Sequence, residues 1–212
     1  MTNDCHFRIE PAKKVAFDIG NVLFRFDLSP LLDMLIGLGI VSDTEAAHEF
    51  MGGTFQHSQE LGLYNIKQSF YQFRPDLSDN VLQEIHDRWM ETFTPSLPMI
   101  DLIEELISKD YKVALLSNIG PDHAMFVRDS CKIFEKCIQH FSCDVGARKP
   151  TRLFFQSFLI HYGWNNNVKY FDDKQDNITM GSEYYNGILF DLNNFTSDDD
   201  AAKVMRNHLL IV

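Results

Sequence analysis

Four short runs, apolar on both faces and bounded by polar residues or glycine, recur along the chain. They are Val15 to Ile19 (VAFDI), Lys112 to Ser117 (KVALLS), Val168 to Asp172 (VKYFD) and Ile188 to Leu192 (ILFDL). A strand with one wet face alternates apolar and polar residues, whereas a short continuous apolar run suits a parallel strand covered by helices on both sides. Cys137 to Phe141 (CIQHF) is a weaker fifth candidate. Helical patterns fall between the runs, at 97–109, 122–134, 151–162 closed by Gly163, and 176–185. A last one, 198–210, opens with three aspartates behind Ser197, favourable at the positive end of a helix dipole. The alternation predicts an α/β fold with a doubly wound parallel sheet.

The stretch from Asp27 to Phe93 breaks that rhythm, with no good strand and several helix starts. Ser29 before Pro30 reads as an N-cap with proline at the first helical position. Ser42 with Glu45 three residues on reads as a capping box. Ser78 precedes Val81, Leu82, Ile85, Trp89, Met90 and Phe93, which share one helical face. The expected division is a core from 1–26 and 95–212, with 27–94 as an all-helical insert.

The chain has 212 residues, 45% of them hydrophobic, enough for one core domain with an inserted subdomain. Its 19 Lys plus Arg against 30 Asp plus Glu give a net charge of −11, which argues against nucleic acid or an anionic membrane as partner. No apolar run approaches the ~20 residues of a membrane helix. The opening MTNDCHFRIEPAKK has no apolar stretch after its charges, so it does not read as a secretory signal. Cys5, Cys131, Cys137 and Cys143 show no CxxC spacing and read as reduced thiols. A cytoplasmic protein is expected, of open oligomeric state.

In an open parallel sheet, ligands bind at the carboxyl ends of the strands. The first run ends at Asp18 and the second at Ser117-Asn118; the run from Val168 ends at Asp172-Asp173, with Asp176 three further. Lys149 precedes the 151–162 helix. A carboxylate, a hydroxyl, an ammonium and a carboxylate cluster converging on one rim suit phosphoryl transfer.

The segments FDIGNVLF, LSNIG, GARKP and FDDKQDNI, in this order, resemble the four motifs of the haloacid dehalogenase-like (HAD) superfamily. Within it they are most similar to the α-D-glucose-1-phosphate phosphatase group, as is the insert segment FMGGTFQHSQELGLYNIKQSF. The similarity covers the chain after about Lys13. It implies a HAD-like Rossmannoid core with a C1 cap, acting as a phosphatase on a small phosphorylated substrate, of sugar phosphate type. Asp18 would be the nucleophile. Mg²⁺ would be held by Asp18, the Gly20 carbonyl and Asp173, with Asp172 and Asp176 nearby. Ser117 and Asn118 would hold the phosphate, and Lys149 would neutralise the nucleophile and the transferring group. Hard oxygen ligands are what Mg²⁺ prefers.

Two departures accompany the resemblance. Most phosphatases of the superfamily carry an aspartate general acid–base two residues after the nucleophile, where this chain has Gly20. Leu61 stands where relatives carry arginine. Asp27, Asp176 and His123 are the side chains that would replace the missing acid, although His123 reads more simply as a solvent-facing helix residue. His57, Gln59 and Glu60 are candidates to line a substrate chamber, and only some of them are expected to face it. Trp89 and the Phe154, Phe155 and Phe158 set read as core, and Cys143 as a packing thiol. Two other readings stay open: a metal-free dehalogenase, to which the Asp172-Asp173 pair is unhelpful, and a binding protein that kept the fold without catalysis.

Overall fold

The computed structural model describes residues 13–164 and 168–210. The apolar runs form one parallel sheet, ordered β5-β4-β1-β6-β7. β1 is Lys14–Phe17, β4 Lys112–Ser117, β5 Ile138–Phe141, β6 Lys169–Asp172 and β7 Asn186–Leu189. Ala16 faces Ala114 on one side and Tyr170 on the other, so β1 is the central strand. Alternate side chains go to opposite faces. Val15, Phe17, Val113, Leu115 and Phe171 enter one apolar cluster, with Met99, Leu102, Ile103 and Leu106 from α6 (Leu97–Ser108) and Ala201 and Met205 from α11 (Asp198–Leu209). Ala16, Ala114, Leu116 and Tyr170 enter a second, with Phe154, Phe155 and Phe158 from α9 (Arg152–Tyr162) and Ile178 from α10 (Gln175–Gly181). Each such fully buried Phe contributes roughly 1.5–3 kcal/mol.

Several expected boundaries move. The last strand begins at Asn186 rather than Ile188, because Lys169 pairs with Asn186 in the ladder. Leu192 instead opens a 3-10 turn, Leu192–Asn194, whose N-cap Asp191 accepts the Asn193 N–H. The 122–134 helix is split: α7 is Pro121–Ser130, and a 3-10 turn spans Lys132–Lys136. The helix expected at 176–185 stops at Gly181, where the chain packs against Tyr170: a Cβ there would lie 2.8 Å from the ring.

Between β1 and α6 the chain forms a two-stranded antiparallel ribbon, β2 (Phe24–Phe26) with β3 (Phe93–Pro95), and a run of helices between those strands. The helices are α1 (Ser29–Gly37), α2 (Thr44–Met51), α3 (Gly53–Glu60), α4 (Ile66–Phe73) and α5 (Asp79–Glu91). They gather around their own apolar cluster, which includes Leu31, Leu35, Phe55, Phe70, Ile85 and Trp89. The ribbon corrects the expectation of no strand there, since Phe93 begins β3; three residues are too few to display an alternation.

Two caps also differ from expectation. Leu28 is the N-cap of α1 and no side chain caps it; Ser29 already lies inside the helix, its N–H donating to Asp27 Oδ1 at 2.9 Å. Asp43, not Ser42, caps α2, accepting the Ala46 N–H at 2.9 Å while Ser42 Oγ donates to Asp43 Oδ2. Ser78 caps α5 as its spacing predicts.

Candidate active site

The rim residues meet because each strand ends at the same edge of the sheet. Asp18 directly follows β1, and its N–H donates to Phe171 O of β6 at 2.8 Å. Ser117 ends β4 and is 2% exposed. Asp172 ends β6, with Asp173 next. Lys149 arrives from the loop before α9 and is 1% exposed.

Lys149 organises the cluster. Its Nζ lies 3.0 Å from Asp18 Oδ1 and 2.6 Å from Asp172 Oδ2, and donates to Leu116 O at 2.7 Å. Both oxygens of Asp172 are doubly engaged. Oδ2 accepts from Lys149 and from the Tyr170 hydroxyl, and Oδ1 accepts the Lys174 N–H and Asn177 Nδ2, each at 2.9 Å. Asp173 is freer: its Oδ2 accepts from Asn21 Nδ2 at 3.2 Å. Oxygens of Asp18, Asp172 and Asp173 lie within 4.8 Å of one another, a spacing that suits one cation.

The electrostatics follow from this crowding. Burial pushes the Asp18 carboxyl up to about 7 against the pull of the Lys149 ammonium, and Asp172 and Asp173 push the same way. Burial also raises Asp173, with Asp172 adding to it and Asn21 opposing. Burial works against Asp172 too, but Lys149 and the donated hydrogen bonds outweigh it and hold that carboxyl below its ordinary value. Lys149 is disfavoured by burial, yet Asp172 and Asp18 raise it above the ordinary lysine value. Two carboxyls that resist ionising beside one already paired are what a divalent cation would relieve.

Asp18, Gly20, Ser117, Asn118 and Asp173 all line one cavity of about 260 Å³, while Lys149 sits behind Asp18. Asn118 also ties the lysine loop to β4. Its Oδ1 accepts the Lys149 N–H at 2.7 Å, and its Nδ2 donates to Lys149 O at 2.8 Å. Asp176 is exposed in the first turn of α10 and does not line the cavity. Asp27 is exposed too, and the Ser29 N–H holds its carboxyl below the ordinary value.

His123 corrects the expectation of a solvent-facing residue. It is buried on α7, stacked between Trp89 at 4.3 Å and Phe93 at 4.7 Å, with Nε2 2.9 Å from Trp89 O. Burial lowers it to about 4, so it is a neutral ring in the cavity wall at neutral pH. Trp89 belongs to the helical cluster and also lines the cavity. Of the three candidates on α3, Gln59 and Glu60 line the cavity while His57 is exposed. Leu61 lies outside the lining set. Burial pushes the Cys143 thiol to about 12, as a packing thiol requires. Cys131, Cys137 and Cys143 are free thiols, and Cys5 lies outside the described residues, as does most of the opening segment.

Sequence reasoning missed Asn21, Tyr170 and Asn177. Asn21 has φ 55°, a left-handed turn conformation that Asn tolerates, and its position after Gly20 is the signal that would have found it. Tyr170 reads only as a strand residue, and Asn177 only as a helix residue.

The helical segment is tied to the sheet at this seam. Glu60 pairs with Arg148, Nε to Oε2 at 2.6 Å, and Asp122 Oδ2 accepts the Ile66 N–H at 2.7 Å. Gly62, at φ 72°, lets the turn after α3 press on the backbone of Cys143, where a Cβ would lie 2.3 Å from the carbonyl oxygen. Among the described residues, no helix is long and apolar enough to cross a membrane.

No family model matches the sequence, and no curated protein matches it. Solved structures do. A HAD family enzyme of Bacteroides thetaiotaomicron, complexed with magnesium and inorganic phosphate, superposes with TM-score 0.74 at 18% identity, over 88% of this chain and 98% of that one. A predicted HAD-like family hydrolase from Porphyromonas gingivalis gives TM-score 0.74 at 18% identity, over 92% and 98%. The L-2-haloacid dehalogenase of Xanthobacter autotrophicus, with chloropropionic acid covalently bound, gives 0.59 at 13% identity, over 95% and 84%. The parallel sheet with its interleaved helices is therefore the HAD-like α/β fold.

Proposed function

We propose that this protein is a Mg²⁺-dependent phosphatase that hydrolyses a small phosphorylated metabolite, of sugar phosphate type, through an aspartyl-phosphate. One observation carries the reading: Asp18 lines the cavity floor with Lys149 Nζ 3.0 Å behind it and oxygens of Asp172 and Asp173 within 4.8 Å. The Bacteroides enzyme's complex with magnesium and inorganic phosphate supports it.

In this reading the Asp18 carboxylate attacks phosphorus, the alcohol departs, and water hydrolyses the aspartyl-phosphate. Lys149 steadies charge on Asp18 and the transferring group, Ser117 binds a phosphate oxygen, and Asn118 holds the Lys149 loop in place. Asp18, Asp173 and the Gly20 carbonyl would hold Mg²⁺, which supplies charge neutralisation at the phosphate oxygens. Asp173 suits metal binding better than Asp172, whose oxygens are already engaged. The segment 27–94 acts as a cap over the core formed by 1–26 and 95–212, closing the cavity from above. The proposed setting is the cytoplasm.

The dehalogenase reading needs an anion-binding site free of metal, and a freer carboxylate at Asp173 disfavours it. The test is Mg²⁺-dependent release of phosphate from an aryl phosphate, paired with thermal shifts. At a hundredfold excess over its dissociation constant, Mg²⁺ should stabilise the wild type by ~2.7 kcal/mol. Asp173→Ala should lose turnover and most of that shift. Equal shifts in both proteins would remove Asp173 from the metal site, and halide release in EDTA would replace the phosphatase reading by the dehalogenase one.

A further inference from the structure

Three carboxylates line the cavity: Asp18 and Asp173 on its floor, and Glu60 in its wall. Lys149 covers the first at 3.0 Å, and Asp173 is a proposed Mg²⁺ ligand. Glu60 ends α3 and is 7% exposed, so it belongs to the segment 27–94 and not to the core. A carboxylate buried in a cavity wall repels an anion bound in that cavity unless a cation sits on it.

Arg148 is that cation. Its Nε donates to Glu60 Oε2 at 2.6 Å and its Nη2 is in contact with the same oxygen, while Gln56 Nε2 donates to Oε1 at 2.7 Å. Both carboxylate oxygens are therefore engaged. Arg148 itself does not line the cavity. It directly precedes Lys149, so one loop of the core supplies the counter-charge for a carboxylate on the floor and for one in the wall. His48 and Lys174 also line the cavity, but both are exposed, and among the described residues the ion pair of Glu60 is with Arg148.

We propose that Arg148 is a positioning residue for anion binding: without touching the ligand, it holds Glu60 and cancels its charge, so that a phosphate group can share the cavity. The inference takes the charge of the ligand from the phosphatase reading, on which it rests, and adds a residue to it. Removing Arg148 alone leaves an uncompensated carboxylate beside the phosphate, whereas removing both charges leaves a neutral wall. The phosphate meets that carboxylate in the bound ground state as in the transition state, so the loss belongs in KM and not in kcat.

The test is a double-mutant cycle of Arg148→Met and Glu60→Gln with Mg²⁺, read as kcat and KM for phenyl phosphate and as the dissociation constant of inorganic phosphate. Arg148→Met should raise KM and the phosphate constant ~10-fold, with kcat within about 3-fold of wild type. Glu60→Gln should raise neither. The double variant should bring both constants back to within about 3-fold of wild type. It strands no buried charge, so it decides the matter even if Arg148→Met fails to fold. A double variant that binds phosphate ~10-fold more weakly than wild type would overturn the inference, because Arg148 would then act on the ligand or the loop without Glu60. Unchanged constants in Arg148→Met would overturn it too. No turnover of any monoester would end the phosphatase reading, while phosphate binding across the cycle would still decide the role of Arg148. A wild type that neither turns over monoesters nor binds phosphate would end both.

Discussion

At the cavity floor, Lys149 Nζ lies within 3.0 Å of two carboxylates and each oxygen of Asp172 accepts two hydrogen bonds; at the roof, Gln59 Oε1 and Trp89 Nε1 have no partner among the described residues. The floor comes from strand ends and is dense in charge, whereas the roof comes from helices and the short ribbon, and its one carboxylate, Glu60, is held by Arg148. A saturated network of buried charges is costly to break because every lost partner strands another charge. A neutral wall with a few unmatched polar atoms can be altered at little cost to the fold.

The sharpest way to break this contrast is at Asp18, the proposed nucleophile. Asp18→Asn should reduce kcat by ~10⁴-fold or more with the melting temperature unchanged or raised, since one carboxyl leaves a crowded acidic cluster. Initial rates and a thermal melt check both halves, and wild-type turnover in the variant would end the covalent mechanism.

Next comes the floor's cation. Lys149→Met leaves Asp18 and Asp172 without their ammonium partner and should cost roughly 3–5 kcal/mol in urea unfolding. Gln59→Leu, replacing an unpartnered acceptor by an apolar group of similar shape, should be near neutral or stabilising. Comparable losses in the two variants would erase the distinction between floor and roof.

The roof's neutrality can be tested by pH. His123 is depressed to about 4 when folded, against 6.5 for the unperturbed ring, because burial disfavours its charged form. Between those values the unfolded chain binds the extra proton, so stability is intact above about pH 6.5 and falls as pH drops towards 4. His123 should account for about 3 kcal/mol of that loss. Unfolding curves of wild type and His123→Phe across this window should differ in slope, the variant being flatter; parallel curves would mean that the ring is not a buried neutral group.

The smallest effect concerns Gly20, between the two regions. Asp27 and Asp176 are exposed and do not line the cavity, and His123 is held neutral, so the reading expects no replacement for the absent acid. Aryl phosphates of graded leaving-group pKa should give a steep rate dependence. A Cβ on Gly20 would meet only Phe93, at an ordinary 3.8 Å, so Gly20→Asp has room to fold. It should flatten the slope and raise alkyl phosphate turnover by ~10²-fold. A flat wild-type plot would mean that another group supplies the proton.

Local chemistry determined much of this in advance. Doubly apolar runs require strands buried on both faces, so the parallel sheet and the residues at its strand ends, Asp18, Ser117 and Asp172-Asp173, were legible from spacing alone. The helical character of the segment after β2 was legible from its helix-start signals and its 3.6-residue periodicity, although of the three expected caps only Ser78 serves as one. Tertiary structure decided what depends on partners distant in sequence. Asn118 clamps a lysine 31 positions away, Asn21 reaches Asp173 across 152, and His123 is stacked against the rings of Trp89 and Phe93, both about 30 residues earlier in the chain. A periodic pattern records which way a side chain faces relative to its own element, but not what is packed against that face. Whether a polar atom there is satisfied, charged or waiting for a ligand is settled only when the elements meet.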